Sequence, residues 1–166
     1  MKRLYLLNKI VQDRCLETHT RLFHTILWPM QHHLIVLHGA LGAADQFSLL
    51  SAALEQQFVV HRFNFYGHGG SPIPGEPLSI PLFAAQIGEY IQQHQLDNVV
   101  LAGYSMGGYA AMYFAKQHPQ KVKAVITLAT KFHWDPAIAA REIKMLDAAT
   151  IEQKVPAFAQ QLAQRH

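Results

Sequence analysis

The chain has 166 residues, half of them hydrophobic and 15% charged, a globular composition that excludes disordered and fibrous classes. A chain of this size buries about 70% of its unfolded surface, enough for one core but not for a second domain. The formal net charge is +3, and the single cysteine, Cys15, excludes an internal disulfide framework and a cysteine-based metal module.

The charge is unevenly placed. Residues 1–24 hold five Lys and Arg against Asp13 and Glu17, whereas the remainder carries nine of each sign. The body therefore offers no electrostatic platform for nucleic acid or a membrane surface, and neither is expected as a partner. Met1-Lys2-Arg3 looks like the start of a signal peptide, but its apolar stretch ends at Leu7 and no small-residue cleavage site follows. The segment also lacks serine and carries two acids, unlike a transit peptide. No apolar run approaches the ~20 residues of a membrane span. A cytoplasmic chain is expected. Residues 1–33 read as an N-terminal arm or edge strand, since Arg21 to Trp28 alternates.

From residue 34 onward the predicted elements alternate. Leu34 to Leu37 is a continuous apolar run ending in His38-Gly39, the pattern of a strand buried on both faces. Asp45 is placed to cap a helix through Phe47, Leu50 and Leu54. Phe58 to Phe63 is a second strand. Asn64 to Ser79 holds Gly67, Gly69, Gly70 and Gly75 with Pro72, Pro74 and Pro77, and is an ordered loop. Ser79 then caps a helix through Phe83, Ile87, Tyr90 and Ile91, with Pro81 in its first turn. Asn98 to Tyr104 is a strand, Gly107 to Gln117 a helix, and Val122 to Leu128 a further strand. Two helices follow, near Pro136 to Leu146 and Ile151 to Gln164. Thr150 with Gln153 fits a capping box for the last one, and Pro156 either kinks it or marks its true first turn. The result is an α/β fold: a mainly parallel sheet with helices on both faces.

The decisive segment is Gly103-Tyr104-Ser105-Met106-Gly107-Gly108, where a buried strand gives way to a helix. A nucleophilic serine needs its hydroxyl thrust out at a sharp, strained turn, and side chains at 103 or 107 would collide there. The helix N-terminus behind Ser105 offers free N–H groups to a developing oxyanion. His38-Gly39-Ala40-Leu41-Gly42, after the first buried strand, turns its backbone toward the serine. The Ala40 and Met106 N–H groups together would form a two-donor oxyanion hole, with His38, Gly39, Gly103 and Gly107 shaping the site. Asn64-Phe65-Tyr66-Gly67-His68-Gly69-Gly70-Ser71 suits a loop packed beside it, with His68 as a local hydrogen-bonding residue.

These three motifs, in this order, resemble the α/β-hydrolase family, from about Leu34 to His166. The middle one is similar to the family's frequent D-x-x-G-x-G-x-S loop, with Asn64 where aspartate is usual. By the resemblance, Ser105 is the nucleophile, Ala40 and Met106 form the oxyanion hole, and neither a metal nor an organic cofactor is needed. Residues 136–166 resemble the start of the helical cap found in many members.

The sequence also departs from the family. The order should be serine, acid, histidine, yet after Leu128 the chain reads as loop and helix alone. The acids there are Asp135, Glu142, Asp147 and Glu152, and the only histidine after them is the terminal His166. Asp135 is similar to an alternative acid position used by some members, and His166 is a candidate base whose terminal place argues for fraying. His118 and His133 match no family position. The other histidines form no H-x-x-x-H or H-E-x-x-H helix, so no metal is expected.

The reading is a serine hydrolase of the esterase type acting on a small ester or related acyl molecule. The 166-residue chain itself is expected to be weakly active, as the N-terminal part of a longer protein or the product of a truncated reading frame. The alternatives are a non-catalytic, receptor-like binding module of the same fold and an inactive fragment. Acyl group, leaving group and oligomeric state stay open.

Overall fold

The computed structural model describes residues 32–166, so the expected Arg21 to Trp28 edge strand lies outside the described residues. Four strands form one sheet: β1 (His32–Leu37), β2 (Phe58–Arg62), β3 (Val99–Tyr104) and β4 (Val122–Leu128). Their order is β2-β1-β3-β4 and every pairing is parallel. Parallel neighbours need long crossovers, and these carry α1 (Ser48–Leu54), α2 (Ile80–Gln93) and α3 (Met106–Gln117). After β4 come α4 (Pro136–Met145), α5 (Ala148–Lys154) and α6 (Pro156–Arg165). β1 begins at His32, two residues ahead of the apolar run that marks it in the sequence.

The strand order has a consequence for the site. β1 is followed by β2 on one side, while β3 lies on the other side of β1. The chain therefore reverses direction across the sheet between β1 and β3, and the connections leaving these two strands diverge. In open parallel sheets a crevice opens at such a switch, beyond the carboxyl ends of the strands.

Strand periodicity divides the core into two layers. Ile35, Leu37 and Leu101 point to one face, where they meet Phe83 and Ile87 of α2 and Ala110 and Phe114 of α3. Leu34, Val36 and Val100 point to the other, against Leu54 of α1 and Phe47 just before it. Both sets are buried, as the continuous apolar run requires. Among the described residues the cover on this second face stops short of β4, where Ile126 is 56% and Leu128 66% exposed.

Helix ends follow local chemistry, with two corrections. The Ser79 hydroxyl accepts the Leu82 N–H at 3.3 Å and Pro81 lies in the first turn of α2, as predicted. Asp45, however, caps nothing: it lies inside a 3-10 turn over Ala44–Phe47, where Gln46 Oε1 accepts the Ala43 N–H at 3.1 Å. The expected Thr150–Gln153 box is also absent. Asp147 caps α5 instead, its carboxylate accepting both the N–H and the hydroxyl of Thr150 at 2.9 Å. An aspartate that reaches the N3 amide starts α5 at Ala148, and Pro156 interrupts it after Lys154, so one predicted helix becomes two. Pro156 then opens α6 in its first turn, where its missing N–H costs nothing.

Candidate active site

Ser105 stands between β3 and α3 with φ +51° and ψ −115°, a conformation that costs a non-glycine residue roughly 1–3 kcal/mol. Its surroundings over-determine it. The Ser105 N–H donates to Leu128 O at 2.9 Å, and Ser105 O accepts from Gly108 N at 3.1 Å and Tyr109 N at 3.3 Å. The Thr130 hydroxyl donates to the same oxygen at 3.1 Å. The turn is thus pinned by its own helix and by the end of β4.

The glycines of the motif are steric requirements, though not all for the predicted reason. A Cβ on Gly103 would lie 2.3 Å from Gly108 N, a collision across the turn itself. A Cβ on Gly107 would instead meet Leu37 O and His38 O of the neighbouring strand's end, at 2.5 Å each. One on Gly108 would fall 2.1 Å from the Thr130 hydroxyl. The helix therefore presses its first turn onto β1 and the β4 loop at once, which short-range sequence spacing does not reveal.

The loop after β1 lies against Ser105: a Cβ on Gly39 would come within 3.1 Å of Ser105 Cβ. Ala40 is exposed at that point. Met106 is the first residue of α3, so its N–H has no intrahelical partner. Leu41 is left-handed, with φ +59°. The Gly42 N–H closes the turn on Gly39 O at 3.0 Å.

His38 is fully buried and braces this loop. The Phe65 N–H donates to its Nε2 at 3.1 Å, so the proton sits on Nδ1, which donates to Gly39 O at 2.9 Å. Burial pushes its pKa down to about 4, with smaller contributions from His68, His166 and Arg165, so the ring is neutral at physiological pH. It ties the loop after β1 to the loop after β2 and is committed on both nitrogens.

The second loop is fastened by Asn64. Its Oδ1 accepts the Ala44 N–H at 2.7 Å and its Nδ2 donates to Gly69 O at 2.9 Å. An aspartate could make the first bond but not the second, which accounts for the amide here. Gly69, with φ +54°, leaves no room for a side chain, since its Cβ would lie 2.5 Å from Asn64 Nδ2. His68 donates from Nδ1 to Tyr66 O at 2.8 Å, the local role expected of it, and burial again lowers its pKa.

Neither candidate for the remaining catalytic roles is hydrogen-bonded to Ser105. Asp135 caps α4 by accepting the Ile138 N–H at 2.7 Å, and its other oxygen lies 3.7 Å from His133 Nε2. His166, though terminal, is hydrogen-bonded through its ring. Its Nδ1 accepts the Gly69 N–H at 2.9 Å and its Nε2 donates to Leu41 O at 3.3 Å, which uses both ring nitrogens. Among the described residues no carboxylate or imidazole is hydrogen-bonded to the Ser105 hydroxyl.

Other features lie apart from this site. A cavity of about 590 Å³, lined by Ile91, Leu96, Phe114 and His118, opens among the C-terminal ends of α2 and α3 and the connections into β3 and β4. That is the other end of the strands from Ser105. Among the described residues no group of three or more His, Cys, Asp or Glu is placed to hold a metal, and no helix is long and apolar enough to cross a membrane.

A parallel sheet with a strained serine at its switch point defines a class, and comparison with known proteins identifies it. The chain belongs to the α/β-hydrolase fold family, whose profile matches residues 32–165. It is 32% identical over 97 residues to an sn-1-specific diacylglycerol lipase, ABHD11, of Xenopus laevis, covering 57% of this chain and 31% of that protein. Over 97 residues it is 35% identical to putative esterase/lipase 2 of Mycoplasma genitalium, covering 57% of this chain and 36% of that protein. Among solved structures, a hydrolase from Pseudomonas aeruginosa superposes with a TM-score of 0.67 at 19% identity, over 79% of this chain and 50% of that one. A marine microorganism esterase does so with a TM-score of 0.60 at 28% identity, over 82% and 55%. The chain thus spans about a third of the curated relatives and about half of these structures.

Proposed function

We propose that this α/β-hydrolase chain acts as an esterase-type hydrolase through Ser105. The hydroxyl oxygen attacks the carbonyl carbon of an ester or related acyl substrate, charge collects on the carbonyl oxygen, and collapse breaks the bond to the leaving oxygen, which takes up the serine proton and departs as the alcohol, leaving an acyl-serine. Water then releases the acid. The N–H groups of Ala40 and Met106 receive the oxyanion, and loss of one such donor costs on the order of 10²–10³ in rate. His38, Gly39, Gly103 and Gly107 shape the site without taking part in the chemistry. The substrate is a small acyl molecule, no metal or organic cofactor takes part, and the setting is cytoplasmic, on the sequence grounds given above.

One observation carries the reading: the left-handed Ser105, between β3 and α3 and against the Gly39 backbone. Incubation with a fluorophosphonate tests it. Wild-type protein should be labelled at Ser105 and Ser105→Ala should not. A folded chain that takes no label ends the proposal. With neither Asp135 nor His166 hydrogen-bonded to Ser105, we expect turnover by this chain to be slow, on the order of the 10³–10⁴-fold over water that remains when triad members are removed.

A further inference from the structure

The end of α6 reaches across to the loops that frame Ser105. Arg165 Nη1 donates to Leu41 O at 2.9 Å, and the adjacent His166 donates to the same oxygen while accepting the Gly69 N–H. The two bonds to Leu41 O link residues more than 120 positions apart in the chain. Two backbone loops, one after β1 and one after β2, are thereby joined by consecutive side chains.

The place of the contact matters more than its strength. Leu41 is a branched residue in the left-handed region, which costs on the order of 1–3 kcal/mol and persists only where neighbours hold it. The turn bond from Gly42 to Gly39 and the brace from His38 hold the loop from within. Among the described residues only the end of α6 holds the Leu41 carbonyl, in part through a charged donor, and charge-assisted bonds of this kind are about twice as strong as neutral ones. Leu41 O shares a peptide with the Gly42 N–H, which closes the turn on Gly39 O, and Gly39 O shares a peptide with the Ala40 N–H, so holding Leu41 O holds the closure of the turn that carries that N–H.

We propose that Arg165 is a positioning residue for acyl transfer: its grip on Leu41 O sets the turn that presents the Ala40 N–H to the oxyanion at Ser105. This rests on the reading of Ser105 and Ala40 given above. Arg165 touches no substrate. Its effect is on the transition state alone, because the oxyanion forms only there.

The test combines two measurements on the 166-residue chain. The first is the saturation kinetics of fluorophosphonate labelling at Ser105 in wild type, Arg165→Ala and Arg165→Lys. The second is the hydrogen-exchange rate of the Gly42 amide, which reads the turn without any chemistry at the serine. Arg165→Ala is expected to slow the limiting labelling rate tenfold or more with half-saturation unchanged, and to speed Gly42 exchange. Arg165→Lys, which keeps one charged donor, is expected to recover part of both. A general loss of fold would instead shift half-saturation and broaden the melt, and Arg165→Lys then carries the test. Labelling of Arg165→Ala at the wild-type rate overturns the proposal. Should the wild type itself take no label, the reading of Ser105 falls. Gly42 exchange that is unchanged in Arg165→Ala then overturns the clamp as well, whereas faster exchange upholds the clamp on the turn without the acyl chemistry.

Discussion

The two faces of the sheet are finished to different degrees. On the face that carries α2 and α3, Ile35, Leu37 and Leu101 are fully enclosed together with Phe65 and Ile87. On the other face α1 covers β1 and β2, and cover ends before β4, where Ile126 and Leu128 stand open. The same strands, with the same alternation, thus yield sealed core on one side and an apolar strip on the other. The site depends on the sealed side: α3 is pressed against the strand ends there, and Ser105 sits on its first turn. A strained residue needs rigid support, and it is found where support is complete.

The largest effect should come from the closest approach on the sealed side. Gly103→Ala would push a methyl to 2.3 Å from the backbone of Gly108. We expect loss of a cooperative melt, or at least about 3 kcal/mol of stability, in denaturant unfolding. A mild effect would show that the elbow can move away from the sheet.

A paired deletion compares the faces directly. Leu101→Ala should cost about 2–5 kcal/mol, as buried leucines do. Ile126→Ala should cost under ~0.5 kcal/mol, as exposed positions do. Equal costs, measured by the same unfolding curves, would mean that the strip over β4 is covered in solution, and the contrast would fail.

Acid should loosen β2 and the loops that follow β1 and β2. His38, His61 and His68 are all held below the ordinary imidazole pKa, chiefly by burial. A lowered folded-state pKa means the unfolded chain takes up protons first, so this stability is complete above about pH 6.5 and declines as pH falls. For His38 the decline continues to about pH 4 and amounts to up to about 3 kcal/mol. Stability measured from pH 7 to 4 should show this slope, reduced in His38→Gln. A wild-type curve flat over that range would contradict a buried, neutral His38.

The smallest expected change is at Thr130. Thr130→Val keeps the shape but removes the hydroxyl bond to Ser105 O, at a cost of about 1 kcal/mol. Two amides still serve that oxygen, so fluorophosphonate labelling should slow only a few-fold. A hundredfold loss would move Thr130 from supporting the turn to controlling it.

Much of this was legible in the residues. The strands, the serine between β3 and α3, and the need for Gly103 follow from patterns within a few positions of one another. The supports of the site do not. Thr130, Arg165 and His166 reach it from 25 residues away or more, by loops and helices whose paths no local pattern sets. Asp135 fits an acid by its place in the order, but it is drawn to the nearest orphan amides of α4, a local bond that any acid ahead of a helix can form. His166, placed at an end where fraying is the rule, is instead bound on both nitrogens.

By itself, the sequence determined the alternation of strand and helix and the sharp turn at Ser105, because these rest on sterics and burial periods acting over short separations. The tertiary structure decided which backbone groups brace that turn, which histidines are spent on carbonyls and amides, and which face of β4 is left open. Those outcomes depend on what distant segments bring to the same place, and only packing of the whole described domain fixes that.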